Sequence, residues 1–262
     1  MNTTDSRTAQ LADNLAFVTE RIRRAASAAG RADAPALIVV SKFHPAADVR
    51  VLRSLGVADV GENRDQEAAA KAAEVADPAL RWHFIGQLQS NKATSVVRYA
   101  HSVHSVDRPG LVAALGRAMA AQQDVDGRAA LECFIQVDLS RSGGGHPGGA
   151  HGGEGQGGAL PRGAGPGGRG GAAPSAVPAL ADAVAGTPGL SLAGVMAVAP
   201  LGSDPSAAFA LLAGISAALV RDHPGATGIS AGMSGDLEQA IAAGATHLRV
   251  GSDILGPRPA VL

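Results

Sequence analysis

Short apolar segments with strand-like composition alternate with helix-like segments along most of the chain, and this alternation constrains the fold most strongly. Strands separated by helices need crossover connections and therefore run parallel. Eight such units in about 220 residues match a closed (β/α)8 barrel of the TIM type. The predicted strands are 36–41, 58–61, 82–85, 102–106, 131–137, 192–198, 227–230 and 247–250. The predicted helices that follow them are 46–55, 64–74, 89–98, 109–122, 175–185, 205–221 and 236–243.

An extra amphipathic helix is predicted before the first strand, over residues 8–29. Apolar side chains recur there at helical spacing, with charged residues between them: Leu11, Leu15, Val18 and Ile22. The rival architecture is a doubly wound open sheet. Its dinucleotide-binding members carry a Gly-x-Gly-x-x-Gly motif after the first strand, and this chain has none there. We therefore expect a single α/β barrel domain over residues 1–262, with one extra N-terminal helix.

Charge and cysteine content exclude several classes of function. A net charge of −1 and a pI near 6.7 give no electrostatic basis for binding nucleic acid or an anionic membrane. The single cysteine, Cys133, lies in an apolar segment and is expected in the core, so a reducing, cytoplasmic compartment is expected. The N-terminus lacks the apolar segment of a signal peptide, and no apolar run reaches the ~18 residues of a membrane span. No exposed apolar stripe suggests an obligate partner, so a monomer is expected.

Residues 143–171 differ in composition from the rest of the chain, because sixteen of these 29 positions are glycine. Such a segment cannot bury enough apolar area to offset its ordering entropy, and a disordered loop after the fifth strand is expected. His146 and His151 lie in it, but no cysteine or other ligand accompanies them at the spacing of a metal site. We therefore expect no metal.

Lys42 follows the first predicted strand, whose five apolar residues indicate burial on both faces. Pro45 ends the possible ladder pairing and suits the start of a helix. An ammonium at the end of a buried strand is partly desolvated, and desolvation lowers the pKa of a lysine. Lys42 is thus a candidate amine nucleophile that forms a Schiff base, although a lysine at a strand end can also simply extend to solvent.

Further polar residues follow the other strands, where a barrel of this kind carries its chemistry. Taken singly, each has a structural explanation; Ser234, for example, suits a helix N-cap before Asp236 and Glu238. Taken together, they fit one ligand. Lys42 can condense with an aldehyde, and Arg249 can face an aromatic ring nitrogen. The residues after strands seven and eight suit a phosphate: Ser230, Ser234, Gly251 and Ser252. An aldehyde, a ring nitrogen and a phosphate describe pyridoxal 5′-phosphate (PLP).

The chain also resembles a known family, the PLP homeostasis proteins, whose barrel is of the alanine racemase N-terminal type. The matching segments occur in order over nearly the whole chain: Val40-Ser-Lys-Phe-His-Pro45, Gly61-Glu-Asn63, His83-Phe-Ile-Gly-Gln-Leu-Gln-Ser-Asn-Lys92, Ser105-Val-Asp107, Gly232-Met-Ser-Gly-Asp-Leu-Glu238 and Arg249-Val-Gly-Ser-Asp-Ile-Leu-Gly256. The glycine-rich segment 143–171 departs from the family, which usually has a shorter, more polar loop there. Ser252 stands where threonine is common.

The resemblance implies a function and a set of site residues. Lys42 matches the Schiff-base lysine, Asn63 the asparagine near the cofactor, and Arg249 the arginine at the pyridine nitrogen. The phosphate-side segments match Ser230, Met233, Ser234, Gly251 and Ser252. The family carries or buffers PLP in vitamin B6 homeostasis without robust turnover, so PLP and, transiently, apo-forms of PLP enzymes are the expected partners.

Two other functions remain open. A PLP-dependent racemase of the alanine racemase type also uses a barrel lysine, but it resembles a two-domain enzyme with a tyrosine as second base. This chain ends soon after strand eight, and its single tyrosine, Tyr99, precedes strand four. A lysine aldolase without PLP uses a barrel and an imine as well, but the phosphate and arginine positions fit it less directly.

Overall fold

The computed structural model describes residues 3–142 and 170–257. Within them, eight parallel strands close into a barrel in sequence order, with the last strand paired to the first. This confirms the predicted fold class. The strands are β1 Ala36–Val40, β2 Asp59–Glu62, β3 Arg81–Phe84, β4 Ala100–Val106, β5 Leu131–Gln136, β6 Leu190–Met196, β7 Gly228–Ser230 and β8 His247–Val250.

Helices surround this barrel, one after nearly every strand, as a TIM-type barrel requires. They are α1 Thr3–Ala28, α2 Ala46–Ser54, α3 Asp65–Val75, α4 Ala93–Val96, α5 Pro109–Asp126, α6 Val177–Ala185, α7 Pro205–Asp222, α8 Leu237–Ala242 and α9 Ser252–Leu255. Short 3-10 turns occupy Ser90–Lys92, Leu139–Ser142 and Pro174–Ala176.

The predicted extra helix is confirmed as α1, which begins at Thr3 rather than at residue 8. It buries Leu11, Val18 and Ile22, and it packs against α8 and α9. The Asn14 side chain donates to the carbonyl of Ile254 in α9 at 2.9 Å. Helix α1 therefore braces the elements on either side of β8.

Closure of the barrel brings the ends of β1 and β8 together. Ile38 pairs with Arg249, and Val39 pairs with Val250. Just beyond these pairs, a Cβ atom on Gly251 would lie only 3.0 Å from the carbonyl oxygen of Val40. The residues that follow the two strands thus share one corner of the barrel mouth.

Two predicted elements differ from the structure. The predicted helix 89–98 is a 3-10 turn followed by a single α-helical turn. The segment contains serine, asparagine and threonine, which are weaker helix formers than alanine or leucine. Strand β6 occupies 190–196 rather than 192–198, since its pairing with β5 already begins at Leu131–Leu190 and ends at Gln136–Met196.

Most of the glycine-rich segment, with His146 and His151, lies outside the described residues, so the prediction of a disordered loop is not tested. Its last two residues are described. The carbonyl of Gly170 accepts a hydrogen bond from the Gln136 side chain at 3.2 Å. Val137 and Ala172 then form a parallel bridge, so the chain returns beside the end of β5.

One helix within the described residues, α7, is long and apolar enough by composition to cross a membrane, with a mean hydropathy of 1.2. It buries Phe209, Leu212 and Leu219. These side chains belong to the hydrophobic core, and 28% of the residues of the helix are buried. Cys133 is fully buried in the core, as predicted.

Candidate functional site

A cavity of about 340 Å³ opens at the mouth of the barrel, at the corner shared by β1 and β8. We call it the mouth cavity. Six of the eight residues predicted to bind a cofactor line it: Lys42, Met233, Ser234, Arg249, Gly251 and Ser252. The structure therefore brings an amine, a guanidinium and two hydroxyl groups to one space, although they come from opposite ends of the sequence.

The residues on both sides of Lys42 are held by hydrogen bonds to two carboxylates, those of Glu62 and Glu67. Ser41 is fully buried, and its hydroxyl donates to Glu62 Oε1 at 2.7 Å. Phe43 has a φ of 70°, a left-handed conformation that is uncommon for a residue other than glycine. Its backbone N–H donates to Glu67 Oε1 at 2.5 Å, which helps to stabilise this strained backbone.

Lys71 joins these two anchoring carboxylates. Its ammonium donates to Glu62 at 2.8 Å, to Glu67 at 2.6 Å, and to the carbonyl of Ser41 at 2.8 Å. Burial raises the pKa of Glu62, and the Lys71 ammonium acts against that rise. We call Lys71, Glu62 and Glu67 the Lys71 cluster. Sequence reasoning missed it, although Glu67 and Lys71 have the i, i+4 spacing of a helical ion pair.

Arg249 forms part of the cavity wall and is only 4% exposed. Its guanidinium donates to the hydroxyl of Ser230 at 2.6 Å and to the carbonyl of Ala197 at 2.9 Å. Burial lowers its pKa to about 10, and the negative charge of Asp236 acts in the opposite direction. Arg249 is therefore a cation at pH 7 whose direction is fixed by two neighbouring strands.

The turn after β7 and the turn after β8 form the side of the cavity predicted for a phosphate. The hydroxyl groups of Ser234 and Ser252 lie 3.3 Å apart. Ser234 is not the N-cap of α8, because that position belongs to Asp236. Instead, Asp236 accepts a hydrogen bond from the Met233 backbone N–H at 2.6 Å. The Met233 N–H is thus already used within the turn, whereas the two hydroxyl groups face each other across the cavity wall.

Two predicted residues are not among those that line the mouth cavity. Ser230 is fully buried behind Arg249 and also contacts His104 Nδ1 at 2.8 Å. Asn63 follows β2, and its side-chain oxygen is buried with no hydrogen-bond partner among the described residues. A Cβ atom on Gly86 would lie 2.2 Å from the Asn63 carbonyl, so only glycine fits beside it.

The cavity wall also contains residues that sequence reasoning did not assign to the site, namely Val40, Phe43, His44 and Ile85. His44 is buried, and this burial lowers its pKa. The available signal was position, since all four lie in or directly after β1 or directly after β3. Within the described residues, no group of three His, Cys, Asp or Glu side chains could hold a metal ion.

Comparison with known proteins supports the resemblance found in the sequence. No protein-family model matches the sequence. The pyridoxal phosphate homeostasis protein of Corynebacterium glutamicum is 42% identical over 225 residues, which cover 85% of this chain and 90% of that protein. The structure of PipY from Synechococcus elongatus PCC7942, with PLP bound, is 31% identical with a TM-score of 0.70. It covers 94% of this chain and all of that one.

A more distant structure shares the fold alone. The alanine racemase of Corynebacterium glutamicum has a TM-score of 0.63 at 14% identity, and the match covers 94% of this chain but 60% of the racemase. The barrel is therefore of the alanine racemase type. From its identity to relatives over most of their length, the chain belongs to the pyridoxal phosphate homeostasis protein family.

Proposed function

We propose that this chain binds PLP in the mouth cavity as a Schiff base on Lys42 and serves intracellular PLP homeostasis and supply. One observation carries the proposal: Lys42, Arg249 and the Ser234–Ser252 pair line a single cavity. Lys42 suits the aldehyde of PLP, Arg249 its ring nitrogen, and the two serine hydroxyl groups its phosphate. Membership of the PLP homeostasis family and the PLP bound to PipY support the same conclusion.

The chemistry of the donors fits this group. The Lys42 amine can attack the aldehyde carbon with loss of one water, which forms the Schiff base. The hydroxyl groups of Ser234 and Ser252 can donate to phosphate oxygens, and the lack of a side chain at Gly251 lets the ends of β1 and β8 lie close together beside them. The buried side-chain oxygen of Asn63 has no hydrogen-bond partner among the described residues, so it can accept a further hydrogen bond near the mouth. Asn63 does not line the described cavity.

Arg249 favours a carrier over an enzyme. When bound, PLP supplies an electron-withdrawing ring, and this property depends on a protonated ring nitrogen. Arg249 can only donate hydrogen bonds, so it favours a ring nitrogen that keeps its lone pair. This chain would therefore hold PLP with weak activation toward carbanion chemistry, as a homeostasis protein requires.

The position of Tyr99 counts against racemisation. The phenol of Tyr99 donates to Asp65 at 3.4 Å, and the residue lines a separate groove between α3 and α4. Its burial, aided by the Asp65 charge, raises its pKa. The only tyrosine of the chain is therefore not available as a second base at the mouth cavity. A lysine aldolase without PLP would leave the Ser234–Ser252 pair unused.

The remaining parts of the proposal concern organisation. We expect a single barrel domain, a monomer, a cytoplasmic location and transient transfer of PLP to apo-enzymes. The large apolar side chains exposed in the described residues are spread over separate elements: Phe17, Val125, Leu201 and Leu211. This scattering supports a monomer, since an obligate interface requires a contiguous apolar patch.

Titration with PLP, followed by visible absorbance, tests the proposal. Wild-type protein should develop a Schiff-base band that saturates at one PLP per chain. Lys42→Ala should abolish the band while melting at nearly the same temperature, because this side chain lies at a cavity wall and not in the core. Lys92→Ala is the matched control and should keep the band, since Lys92 is partly exposed beside Asp65. A band that survives Lys42→Ala would contradict the proposal.

A further inference from the structure

A continuous chain of buried polar groups runs through the barrel interior behind Arg249. Ser230 contacts Arg249 at 2.6 Å and His104 Nδ1 at 2.8 Å. The hydroxyl of Ser102 lies 2.9 Å from His104 Nε2 and 2.6 Å from His83 Nδ1. His83 Nε2 lies 2.7 Å from Asp59, which pairs with Arg81 at the opposite end of the barrel. We call these five residues the interior relay: Ser230, His104, Ser102, His83 and Asp59.

The two ends of the relay determine the direction of its hydrogen bonds. Arg249 can only donate, and the Asp59 carboxylate can only accept. One arrangement of protons satisfies every contact, including a direct one of 3.0 Å between His104 Nε2 and His83 Nδ1. Ser230 accepts from Arg249 and donates to His104 Nδ1, and His104 Nε2–H donates to Ser102. Ser102 donates to His83 Nδ1, and His83 Nε2–H donates to Asp59.

This arrangement requires both histidines to be neutral with the proton on Nε2. His104 is fully buried, and burial lowers its pKa well below the usual range, helped by the nearby charge of Arg249. At the far end, burial acts to raise the pKa of Asp59, but hydrogen bonds from Arg81 and His83 hold it well below its usual range. The relay therefore connects a permanent cation to a permanent anion.

We propose that the interior relay is a positioning device for the cofactor site: it fixes the direction of the Arg249 guanidinium from inside the barrel. This inference rests on the proposed function, because its purpose is to present the remaining Arg249 donors to the PLP ring nitrogen. Within the described residues, no carboxylate forms an ion pair with Arg249, and Asp236 is the nearby negative charge that acts to raise its pKa. The relay therefore supplies a hydrogen-bond acceptor to Arg249 and not a counter-charge.

Packing alone does not explain the relay. The interior of a TIM-type barrel is usually filled by branched apolar side chains. Here two histidines and two serines occupy it, and each is at most 3% exposed. A polar network of this kind adds order only when every member is satisfied, and both ends of this one are charged.

Substitutions at two histidines distinguish an effect of the relay from an effect of side-chain packing. His104 stacks on Phe134 with ring centroids 4.3 Å apart, so His104→Phe keeps an aromatic ring but removes the relay. His247 also contacts Phe134, at 5.2 Å, and its ring centroid lies 6.4 Å from that of His104, but its side chain hydrogen-bonds to Thr246 and not to a relay residue. His247→Phe is therefore the matched control. Ser230→Ala provides a second way to cut the relay if His104→Phe does not fold.

The expected result is a weaker PLP complex when the relay is cut. His104→Phe and Ser230→Ala should raise the Kd for PLP about tenfold, whereas His247→Phe should change it less than about twofold. Asp59→Asn should raise the Kd in the wild-type background but not in Ser230→Ala, because effects carried by one network are not additive. A change in the visible band of bound PLP should accompany each relay variant.

Nitrogen-15 NMR of the histidine rings in the PLP-free protein gives a readout independent of PLP. His83 and His104 should both carry the proton on Nε2 at pH 7. Equal Kd values for His104→Phe, Ser230→Ala and His247→Phe, with wild-type PLP still on Lys42, would overturn the relay alone. A charged His104, or one protonated on Nδ1, would overturn it as well. Absence of PLP from wild-type Lys42 would instead contradict the proposed function.

Discussion

Two buried polar regions flank the mouth cavity. They position its two basic residues, Lys42 and Arg249, in different ways. The Lys71 cluster is ionic and fixes the backbone next to Lys42 through hydrogen bonds with Ser41 and Phe43. The interior relay is mostly uncharged and fixes a side chain, because Ser230 accepts a hydrogen bond from the guanidinium of Arg249. The difference follows from what each side chain has to do. The Lys42 amine must react with an aldehyde, so its neighbours are fixed, whereas Arg249 only has to keep its direction.

The largest effect should come from breaking the ionic region. Lys71→Met would leave Glu62 buried without its cation, and we expect the free energy of unfolding to fall by about 3 kcal/mol. Lys92→Met is the matched control, because its Asp65 partner lies at 3.9 Å and its side chain is 38% exposed, so a change within about 0.5 kcal/mol is expected. Urea unfolding of both variants measures this difference. Equal losses would show that the Lys71 cluster does not hold the β1 end.

The two regions should also differ in their response to pH. Burial lowers the pKa of His104 well below its usual value, and it lowers that of His247 to about 4. Below pH 6.5 the unfolded state then binds more protons than the folded state, so stability should fall as the pH drops from about 6.5 to 4. His104→Phe should reduce this fall by removing a buried neutral histidine. Lys71→Met should act on a different group: without the Lys71 ammonium, burial raises the pKa of Glu62 further, so protonation of Glu62 at low pH favours the folded state. Urea midpoints at pH 7 and pH 5 test both statements.

The smallest expected effect concerns the phosphate side, which neither region supports directly. Ser234→Ala and Ser252→Ala should each weaken PLP binding about fivefold, equivalent to about 1 kcal/mol for one hydrogen bond at a partly exposed site. Ser203→Ala is a suitable control, because its hydroxyl donates to the Pro200 carbonyl in an exposed turn and Ser203 does not line the mouth cavity. PLP titration measures all three, and a loss equal to that of Lys42→Ala would mean that the hydroxyl groups do more than bind phosphate.

Sequence predicted the barrel well because its signal is local. The clearest strand is a short apolar run, Ala36–Val40, and the helix Ala46–Ser54 follows it after a short loop. The residues after β1 and β8 could also be assigned, since parallel strands end at one mouth. Ser234 could not be resolved between cap and cavity residue, because that depends on Asp236 taking the N-cap position.

Sequence reasoning missed the contacts that cross the barrel. Ser230 was predicted on the phosphate side because it ends β7, and that role remains a prediction; in the structure its side chain contacts Arg249 and His104. The relay left a weak signal that went unused: Ser102 and His104 alternate along β4, with polar residues where a barrel interior is usually apolar. Contact between β3, β4 and β7 side chains depends on closure, which no single segment encodes.

The central claim is that Lys42, and no other lysine, carries PLP. Borohydride reduction of the PLP-loaded wild-type protein, followed by mass mapping of peptides, tests it most directly, because the chain has only three lysines. We predict a single reduced adduct on Lys42, with Lys71 and Lys92 unmodified. An adduct on Lys71, or none on Lys42, would contradict both the proposed function and the contrast between the two regions.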